Sequence, residues 1–330
     1  MVATFTVADS VELAVVERNG FIESRHAGSA VVMTGEGEIL RTLGDVTTPI
    51  FPRSTLKPFQ AIAVMSSGVA LRGVDAAIAT ASHSGTFKHV ELVKGLLDRA
   101  GVPVTALGCP ASWPEDRATR DTLIRQGMGP DPIYMTCSGK HAAMLVACVQ
   151  NGWSLDGYLD PEHPLQKRVL DVIERFTGER PAASGIDGCG TPVHAISLTA
   201  LARGIARIGT SRSNSPFAIY REAGFLVEAA RENGWIIAGP GQPDTVVIDR
   251  LGIFIKFGAE GITVATAADG TTVALKVLDG SLRAATIVAL SLLADAGAIE
   301  RADVDALVPE LHLSVLGAGR PVGQVKPSYV

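Results

Sequence analysis

The order of strand and helix signals along the chain constrains its fold more than any other feature of the sequence. Residues 12–18 and 30–34 are apolar and rich in β-branched side chains, and Asn19-Gly20 between them is a strong hairpin signal. Residues 10–45 are therefore predicted to form an antiparallel meander. Strand-like segments return near the other end of the chain, at 246–248, 252–256, 261–265 and 272–277.

The residues between these two groups of strands have mostly helical patterns. Prolines at first-turn positions and glycines after last turns predict helices at 90–100, 140–151, 164–176 and 215–233. A further apolar helix, at 281–296, is expected to cover one face of the sheet. We predict an α+β fold, with an antiparallel sheet built from the N- and C-terminal segments and a helical middle region.

We treat residues 1–330 as a single domain. Residues 1–50 and 245–330 would form its sheet portion with covering helices, and residues 51–244 its mainly helical portion. The length is sufficient for one large domain with a sizeable core.

Composition and charge exclude several classes of protein. The net charge is −5 and no run of Lys or Arg is present, which argues against a nucleic-acid partner. The apolar run 284–294 is too short to cross a bilayer, and the first residues lack the basic and apolar regions of a signal peptide. We expect a cytoplasmic protein with no membrane partner.

The segment Arg53-Ser54-Thr55-Leu56-Lys57-Pro58 places a hydroxyl and an amine three residues apart. One helical turn brings both to the same side, and Pro58 predicts that residues 54–57 form a tight turn before a helix. A serine becomes a strong nucleophile only beside a base, and a lysine is a base only when burial or a second positive charge lowers its pKa. The apolar neighbours of Lys57 favour this interpretation over a solvated lysine at a helix end.

Two later segments can supply a second hydroxyl and a second positive charge. Ser82-His83-Ser84 follows the apolar run 74–79, and Lys256-Phe257-Gly258 ends a predicted strand. Hydroxyl residues also cap helices, and lysines also lie on solvated sheet edges, so neither segment decides alone. Ser-x-x-Lys, Ser-x-polar and Lys-x-Gly nevertheless follow one another in the order typical of serine β-lactamases and penicillin-binding proteins.

Two cysteines belong to a second group of candidate functional residues, which could bind a metal ion. Cys137 and Cys189 lie in Cys137-Ser138-Gly139-Lys140-His141 and Asp187-Gly188-Cys189-Gly190. Two thiolates can share a zinc ion, but Cys-x-x-Lys is not a usual zinc pattern because a lysine must lose its proton to bind metal. Spacing alone favours buried free thiols. Cys148, in an apolar helix, is most simply a core residue, and Cys109 has no evident partner.

Taken together, these segments resemble the bacterial L-asparaginase II family of the inducible rhizobial type, almost from end to end. The segments that carry the resemblance are 16–26, 51–58, 81–85, 137–141, 188–192, 244–245 and 256–261. The resemblance implies a β-lactamase- and glutaminase-like fold, a homodimer, and hydrolysis of L-asparagine to L-aspartate and ammonia through a serine activated by lysine. The proline-rich segment 239–243 departs from the family pattern and leaves the shape of a substrate loop open.

The resemblance also implies roles for individual residues. The catalytic positions are Ser54 with Lys57 and Ser82 with Lys256; the positions of the zinc ligands are Cys137, Lys140 and Cys189; Asp187 lies beside the metal; and Arg53 and His141 are expected to hold the substrate. One zinc ion per chain would have a supporting role beside the catalytic groove.

Three alternatives remain open at the level of sequence. Ser82 can be the nucleophile in place of Ser54. The motif order also fits an acyl-serine hydrolase of β-lactams or peptidoglycan amides, although the lack of a signal peptide opposes it. A catalytically silent protein that binds zinc or amino acids would share the same residues. Turnover of a small amide that is lost on mutation of Ser54 would exclude the last alternative.

Overall fold

The computed structural model describes residues 3–329, which form ten strands and twelve α-helices. The strands are β1 (Val11–Arg18), β2 (Phe21–Met33), β3 (Ile39–Leu43), β4 (Ala183–Ile186), β5 (Pro192–Ala195), β6 (Phe254–Gly258), β7 (Ile262–Thr266), β8 (Thr272–Val277), β9 (Ser314–Gly317) and β10 (Arg320–Pro327). The helices are α1 (Lys57–Met65), α2 (Val74–Thr80), α3 (Phe87–Arg99), α4 (Arg117–Arg125), α5 (Ser138–Asn151), α6 (Pro164–Thr177), α7 (Leu198–Gly209), α8 (Ala218–Glu232), α9 (Gly234–Ile237), α10 (Pro243–Leu251), α11 (Ala285–Asp295) and α12 (Arg301–Leu307).

One antiparallel sheet joins strands from both ends of the chain. Its order is β6-β7-β8-β2-β1-β10-β9, and β3 pairs with the second half of β2. The predicted hairpin at Asn19-Gly20 is confirmed: both residues have positive φ, at 49° and 81°, as a tight hairpin turn requires. The predicted α+β fold, with its sheet built from the two ends and a helical middle, is confirmed.

Helices cover the centre of the sheet. Every residue of β7 and β8 is buried, so both faces of the sheet are covered there. Helices α7 and α11 both contact these two strands, and α11 fulfils the prediction for 281–296. None of the helices in residues 3–329 is long and apolar enough to span a membrane.

The prediction of a strand at 246–248 is wrong, because these residues lie inside α10. Pro243 occupies the first turn of that helix, and Gly252 ends it with a left-handed φ of 64°. These end signals, together with burial of the three β-branched side chains against neighbouring elements, outweigh their strand propensity. The β4–β5 hairpin in the helical middle and strands β9 and β10 were not predicted.

The other predicted helices correspond to α3, α5, α6 and α8. The predicted tight turn before α1 is a 3₁₀ helix at Arg53–Leu56, and α1 begins at Lys57, one residue before Pro58.

Candidate active site

Ser54 lies in the 3₁₀ turn at Arg53–Leu56, which packs against the end of β6. A Cβ atom on Gly258 would lie 2.7 Å from the Pro52 carbonyl oxygen and 3.3 Å from Ser54 N, so only glycine permits this approach. Ser54 is half-buried, and its hydroxyl forms no hydrogen bond to any residue between 3 and 329. The hydroxyl is therefore available to a ligand.

Lys57 is fully buried at the start of α1. Its Nζ donates to the Ala81 carbonyl oxygen at 2.6 Å and lies 2.7 Å from Ser82 Oγ. Burial lowers the pKa of Lys57, and nearby Lys140 lowers it further, whereas Cys137 opposes the shift. Lys57 therefore has the lowered basicity that a general base requires.

Lys256, in β6, is also fully buried and reaches the same hydroxyl. Its Nζ lies 2.8 Å from Ser82 Oγ, donates to the Phe257 carbonyl oxygen at 2.8 Å, and sits 4.1 Å from the centre of the Phe257 ring. Burial and the proximity of Lys57 lower the pKa of Lys256 to about 7, against an opposing effect of Asp244.

The Ser82 hydroxyl is thus hydrogen-bonded to the amines of both lysines. Its backbone N–H donates to the Ile237 carbonyl oxygen at 2.8 Å, and the next residue, His83, donates from its N–H to the Thr136 carbonyl oxygen at 3.2 Å. A hydroxyl has one proton and two lone pairs, so Ser82 can accept from one lysine while it donates to the other. The three groups form a continuous path for a proton.

The structure brings together the predicted metal-binding residues. Cys137, Lys140 and Cys189 are all buried, and Lys140 Nζ donates to Thr191 Oγ1 at 2.8 Å and to Gln60 Oε1 at 3.2 Å. The proximity of Cys189, followed by burial, raises the pKa of Cys137, and Cys137 in turn lowers the pKa of Cys189. Burial lowers the pKa of Lys140, but Cys189 and Cys137 outweigh burial and raise it overall.

The donor atoms of this cluster fit a thiophilic cation. Two thiols and an amine are ligands that zinc accepts once their protons are lost. Within residues 3–329, no three His, Cys, Asp or Glu side chains are grouped as a metal site, so Lys140 would be needed as the third protein ligand. The sequence-predicted zinc stays a prediction.

His141 is buried beside this cluster with one unpartnered nitrogen. Its Nδ1 lies 2.6 Å from the Tyr158 hydroxyl, which accepts the Gly108 N–H at 2.9 Å and keeps its own proton free to donate to His141. Burial lowers the pKa of His141, which favours the neutral ring with its proton on Nε2. Nε2 forms no hydrogen bond of ordinary geometry to a described residue, but the Cys189 sulfur lies close enough to oppose the effect of burial on the pKa of His141.

Arg53 and Asp187 form an ion pair beside the Ser54 turn. Arg53 Nε donates to Asp187 Oδ1 at 2.7 Å, and Gly188 N donates to the same oxygen at 2.8 Å. Arg53 Nη1 also lies 3.8 Å from Glu260 Oε1. Asp187 therefore links the Ser54 turn to the segment that carries Cys189.

Two acidic residues near the lysines were given no role from the sequence. Asp244 is buried, and its Oδ2 accepts the Phe257 N–H at 2.8 Å, which fixes the backbone next to Lys256. Segment 244–245 belongs to the family resemblance, but nothing in the sequence assigned a role to the Asp244 carboxylate. Glu115 lies in a loop before α4 and matches no motif, so only the structure shows its proximity to Lys57 and Lys256.

Several solved structures are remotely similar to this chain. The structure named Mglu in its native form is 12% identical with a TM-score of 0.47 over 82% of this chain, which spans 64% of the length of that structure. A Bacillus glutaminase is 12% identical with a TM-score of 0.45, covering 82% of this chain and 91% of that one. A Bacteroides dorei protein described as a candidate β-lactamase is 13% identical with a TM-score of 0.42, covering 76% and 84%.

These similarities are too remote to indicate a function, and no curated protein has significant sequence similarity to the chain. The sequence profile of the L-asparaginase II family, in contrast, matches residues 14–327, which include every residue of the site described above. The chain therefore belongs to the L-asparaginase II family, a family of amide hydrolases.

Proposed function

We propose that the protein is an L-asparaginase, which hydrolyses L-asparagine to L-aspartate and ammonia through an acyl-enzyme on Ser54. The observation that carries the proposal is the contact of two buried lysines with the Ser82 hydroxyl, one of them a single turn after Ser54. Buried amines with lowered pKa can take up and return a proton near neutral pH. Family membership supports an amide as the bond that is cleaved.

In the first step, rotation of the Ser54 side chain brings its hydroxyl within hydrogen-bond reach of Lys57, Ser54 Oγ attacks the side-chain amide carbon of asparagine, and Lys57 accepts the hydroxyl proton. If Lys57 is neutral and donates its two N–H bonds to Ala81 O and Ser82 Oγ, its lone pair remains free for this proton. The backbone N–H of Ser54, which bonds to no residue between 3 and 329, is proposed to stabilise the negative charge that develops on the amide oxygen, since the N–H groups of Thr55 and Lys57 already donate to the Pro52 and Ser54 carbonyl oxygens.

In the second step, the carbon–nitrogen bond breaks and ammonia leaves with a proton returned along the Lys57–Ser82–Lys256 path. A water molecule then attacks the ester carbon and gives a proton to the same path. The ester carbon–oxygen bond breaks, the path returns a proton to Ser54 Oγ, and L-aspartate is released. The positive charge on either lysine keeps the other neutral, because both amines contact one oxygen.

Arg53 and the unpartnered Nε2–H of His141 are proposed to orient the substrate carboxylate and amide. We also propose that Cys137, Lys140 and Cys189 hold one zinc ion. When bound, zinc would neutralise the two thiolates and fix these three residues beside Ser54. A homodimer and a cytoplasmic location, both expected from the sequence, complete the proposal; light scattering of the purified protein tests the dimer.

An ammonia-release assay over a panel of amides, with L-asparagine and L-glutamine first, tests the proposal. We expect turnover of L-asparagine by the wild-type protein and none by Ser54→Ala. If the wild-type protein, with its zinc content verified, releases no ammonia from L-asparagine, the proposed function is wrong. Fast acylation by a penicillin, detected as a mass increase, would instead support the β-lactam alternative.

A further inference from the structure

A cavity of about 310 Å³ lies beside Lys256 and is not used by the mechanism above. Its lining includes Glu115, Gln242, Asp244, Phe257, Leu282 and Thr286, with no basic side chain in its walls. Its volume is at the lower end for small-molecule sites. The cavity is therefore an acidic pocket with room for a small cationic group.

The cavity borders the catalytic residues through two connections. Phe257 lines it, and the next residue of β6, Gly258, is in contact with the Ser54 turn. On another side, Asp116 N donates to the Ser84 carbonyl oxygen at 2.8 Å, which ties the Glu115 loop to the segment that carries Ser82. The lining of the pocket is therefore adjacent both to the Ser54 turn and to the segment that carries Ser82.

Both acidic side chains retain binding capacity. Asp244 is 2% exposed, and its Oδ1 accepts no hydrogen bond from residues 3–329, while Oδ2 is occupied by Phe257 N. The Glu115 carboxylate forms no hydrogen bond or ion pair in that range, although the residue lies on an exposed loop. Partial burial raises the pKa of Glu115, and Lys57 and Lys256 oppose that shift. Glu115 therefore presents an unpaired carboxylate to the cavity, next to the unpaired Oδ1 of Asp244.

We propose that this cavity binds the α-ammonium group of the substrate, with Glu115 as the residue that selects free α-amino acid amides over amides without the ammonium. The inference rests on the proposed function. Only three covalent bonds separate the amide carbon of asparagine from its ammonium nitrogen, so attack by Ser54 places that nitrogen near β6. A pocket that binds a charged group rejects ligands lacking it, because its carboxylates would lose their partner.

Steady-state kinetics with L-asparagine and succinamate, which lacks only the ammonium, provide the test. We expect Glu115→Gln to lower kcat/KM for L-asparagine by about 10- to 100-fold, as for a lost charge-assisted hydrogen bond, and to leave the value for succinamate unchanged. Glu91→Gln, on the exposed face of α3, removes the same charge away from the cavity and should match the wild type. Equal losses on both substrates, or no loss on either, would overturn the proposal.

A binding measurement separates this inference from the proposed function. Isothermal titration with L-aspartate and succinate reports recognition of the ammonium without any turnover. We expect the wild-type protein to prefer L-aspartate, and Glu115→Gln to lose that preference. If no amide is hydrolysed but the preference for L-aspartate is observed and lost in Glu115→Gln, the proposed function is wrong and the ammonium pocket is supported. If the wild-type protein binds L-aspartate and succinate equally well, the ammonium pocket is wrong.

Discussion

The amines of Lys57 and Lys256 share one hydrogen-bond partner, with Nζ at 2.7 Å and 2.8 Å from Ser82 Oγ. Two ammonium ions in contact with one oxygen would repel each other by a few kcal/mol, even at an effective dielectric constant of roughly 20. The pair therefore carries one positive charge more readily than two, and its protons belong to the pair rather than to either residue.

The first prediction concerns the pH dependence of activity. Because the pKa of Lys256 is lowered to about 7 and that of Lys57 is also lowered, a free amine is present at neutral pH and is lost in acid. We expect kcat/KM for L-asparagine to fall as pH decreases below about 7. Lys256→Met should remove most activity and move the acidic limb to higher pH, because the base Lys57 loses the positive neighbour that keeps it neutral. A profile that stays flat to pH 5 in the wild type would contradict a lysine base.

The same shift predicts how stability changes with pH. The folded pKa of Lys256, about 7, lies below its ordinary value of 10.5, so between these values the unfolded chain binds a proton that the folded chain does not. Titration of Lys256 therefore makes the unfolding free energy rise with pH between about 7 and 10.5. Below pH 7, the buried Lys256 ammonium destabilises the folded protein to its full extent. Urea unfolding of wild type and Lys256→Met at pH 7 and 9 measures the difference; an equal pH dependence in the two proteins would refute the lowered pKa.

The second prediction separates the two candidate nucleophiles. Ser54→Ala should lower kcat by at least about a thousandfold, because no acyl-enzyme can form, whereas Ser82→Ala should lower it by about a hundredfold through loss of proton transfer. Ser67→Ala removes a half-buried hydroxyl that bonds only to neighbouring helix and loop atoms, and should leave turnover unchanged. Mass spectrometry of rapidly quenched reactions would decide against Ser54 if Ser54→Ala still carried a covalent acyl group.

The third prediction tests the contact between β6 and the Ser54 turn. Gly258→Ala would place a methyl group 2.7 Å from the Pro52 carbonyl oxygen, so the turn must move. We expect a loss of about 1–3 kcal/mol in unfolding free energy and a larger proportional loss in kcat/KM. Gly95→Ala, in the middle of α3, meets only the flexible end of Arg99 at 3.4 Å and should be neutral or stabilising. Wild-type activity in Gly258→Ala would show that the turn tolerates the displacement.

The fourth prediction concerns zinc. Purified protein should contain one zinc ion per chain, and Cys137→Ser or Cys189→Ser should lose it. Removal of the metal should raise KM for L-asparagine by about 10- to 100-fold, yet change kcat much less, because the serine–lysine groups carry out bond breaking. Metal-free protein as purified, or loss of all turnover at saturating substrate after chelation, would overturn the supporting role.

The sequence could predict the parts of this site that depend on local spacing, but not the parts that depend on tertiary contacts. The spacing of Ser54 and Lys57 predicted that both lie on one turn, and they do, but it could not predict that Lys57 would bond to Ser82. That contact depends on how α1 and the segment after α2 pack together, which no local pattern encodes. Glu115 was missed for the same reason, since it is a single exposed loop residue placed by tertiary contacts.

The errors in the fold have similar causes. Residues 246–248 are β-branched and were predicted to be a strand, yet proline and glycine at the ends of α10 and burial of its apolar side chains determine a helix. Strand β10 was missed because it contains two prolines and few apolar residues. It forms because residues 14–18 of β1 pair with residues 323–327, with Val16 opposite Val325, and because its first half pairs with β9.

The pairing of β10 with β1 has a consequence for how the chain acquires its fold during synthesis. Strands β1 and β10 are neighbours in the sheet but lie some 300 residues apart in the sequence. After β1 has paired with β2, its other edge stays unpaired until β10 has been synthesised. Such long sequence separations slow folding, and an open strand edge can meanwhile pair with another chain. Until residues 320–327 leave the ribosome, β1 is therefore an aggregation-prone edge, and chaperones that shield such edges would raise the yield of active enzyme.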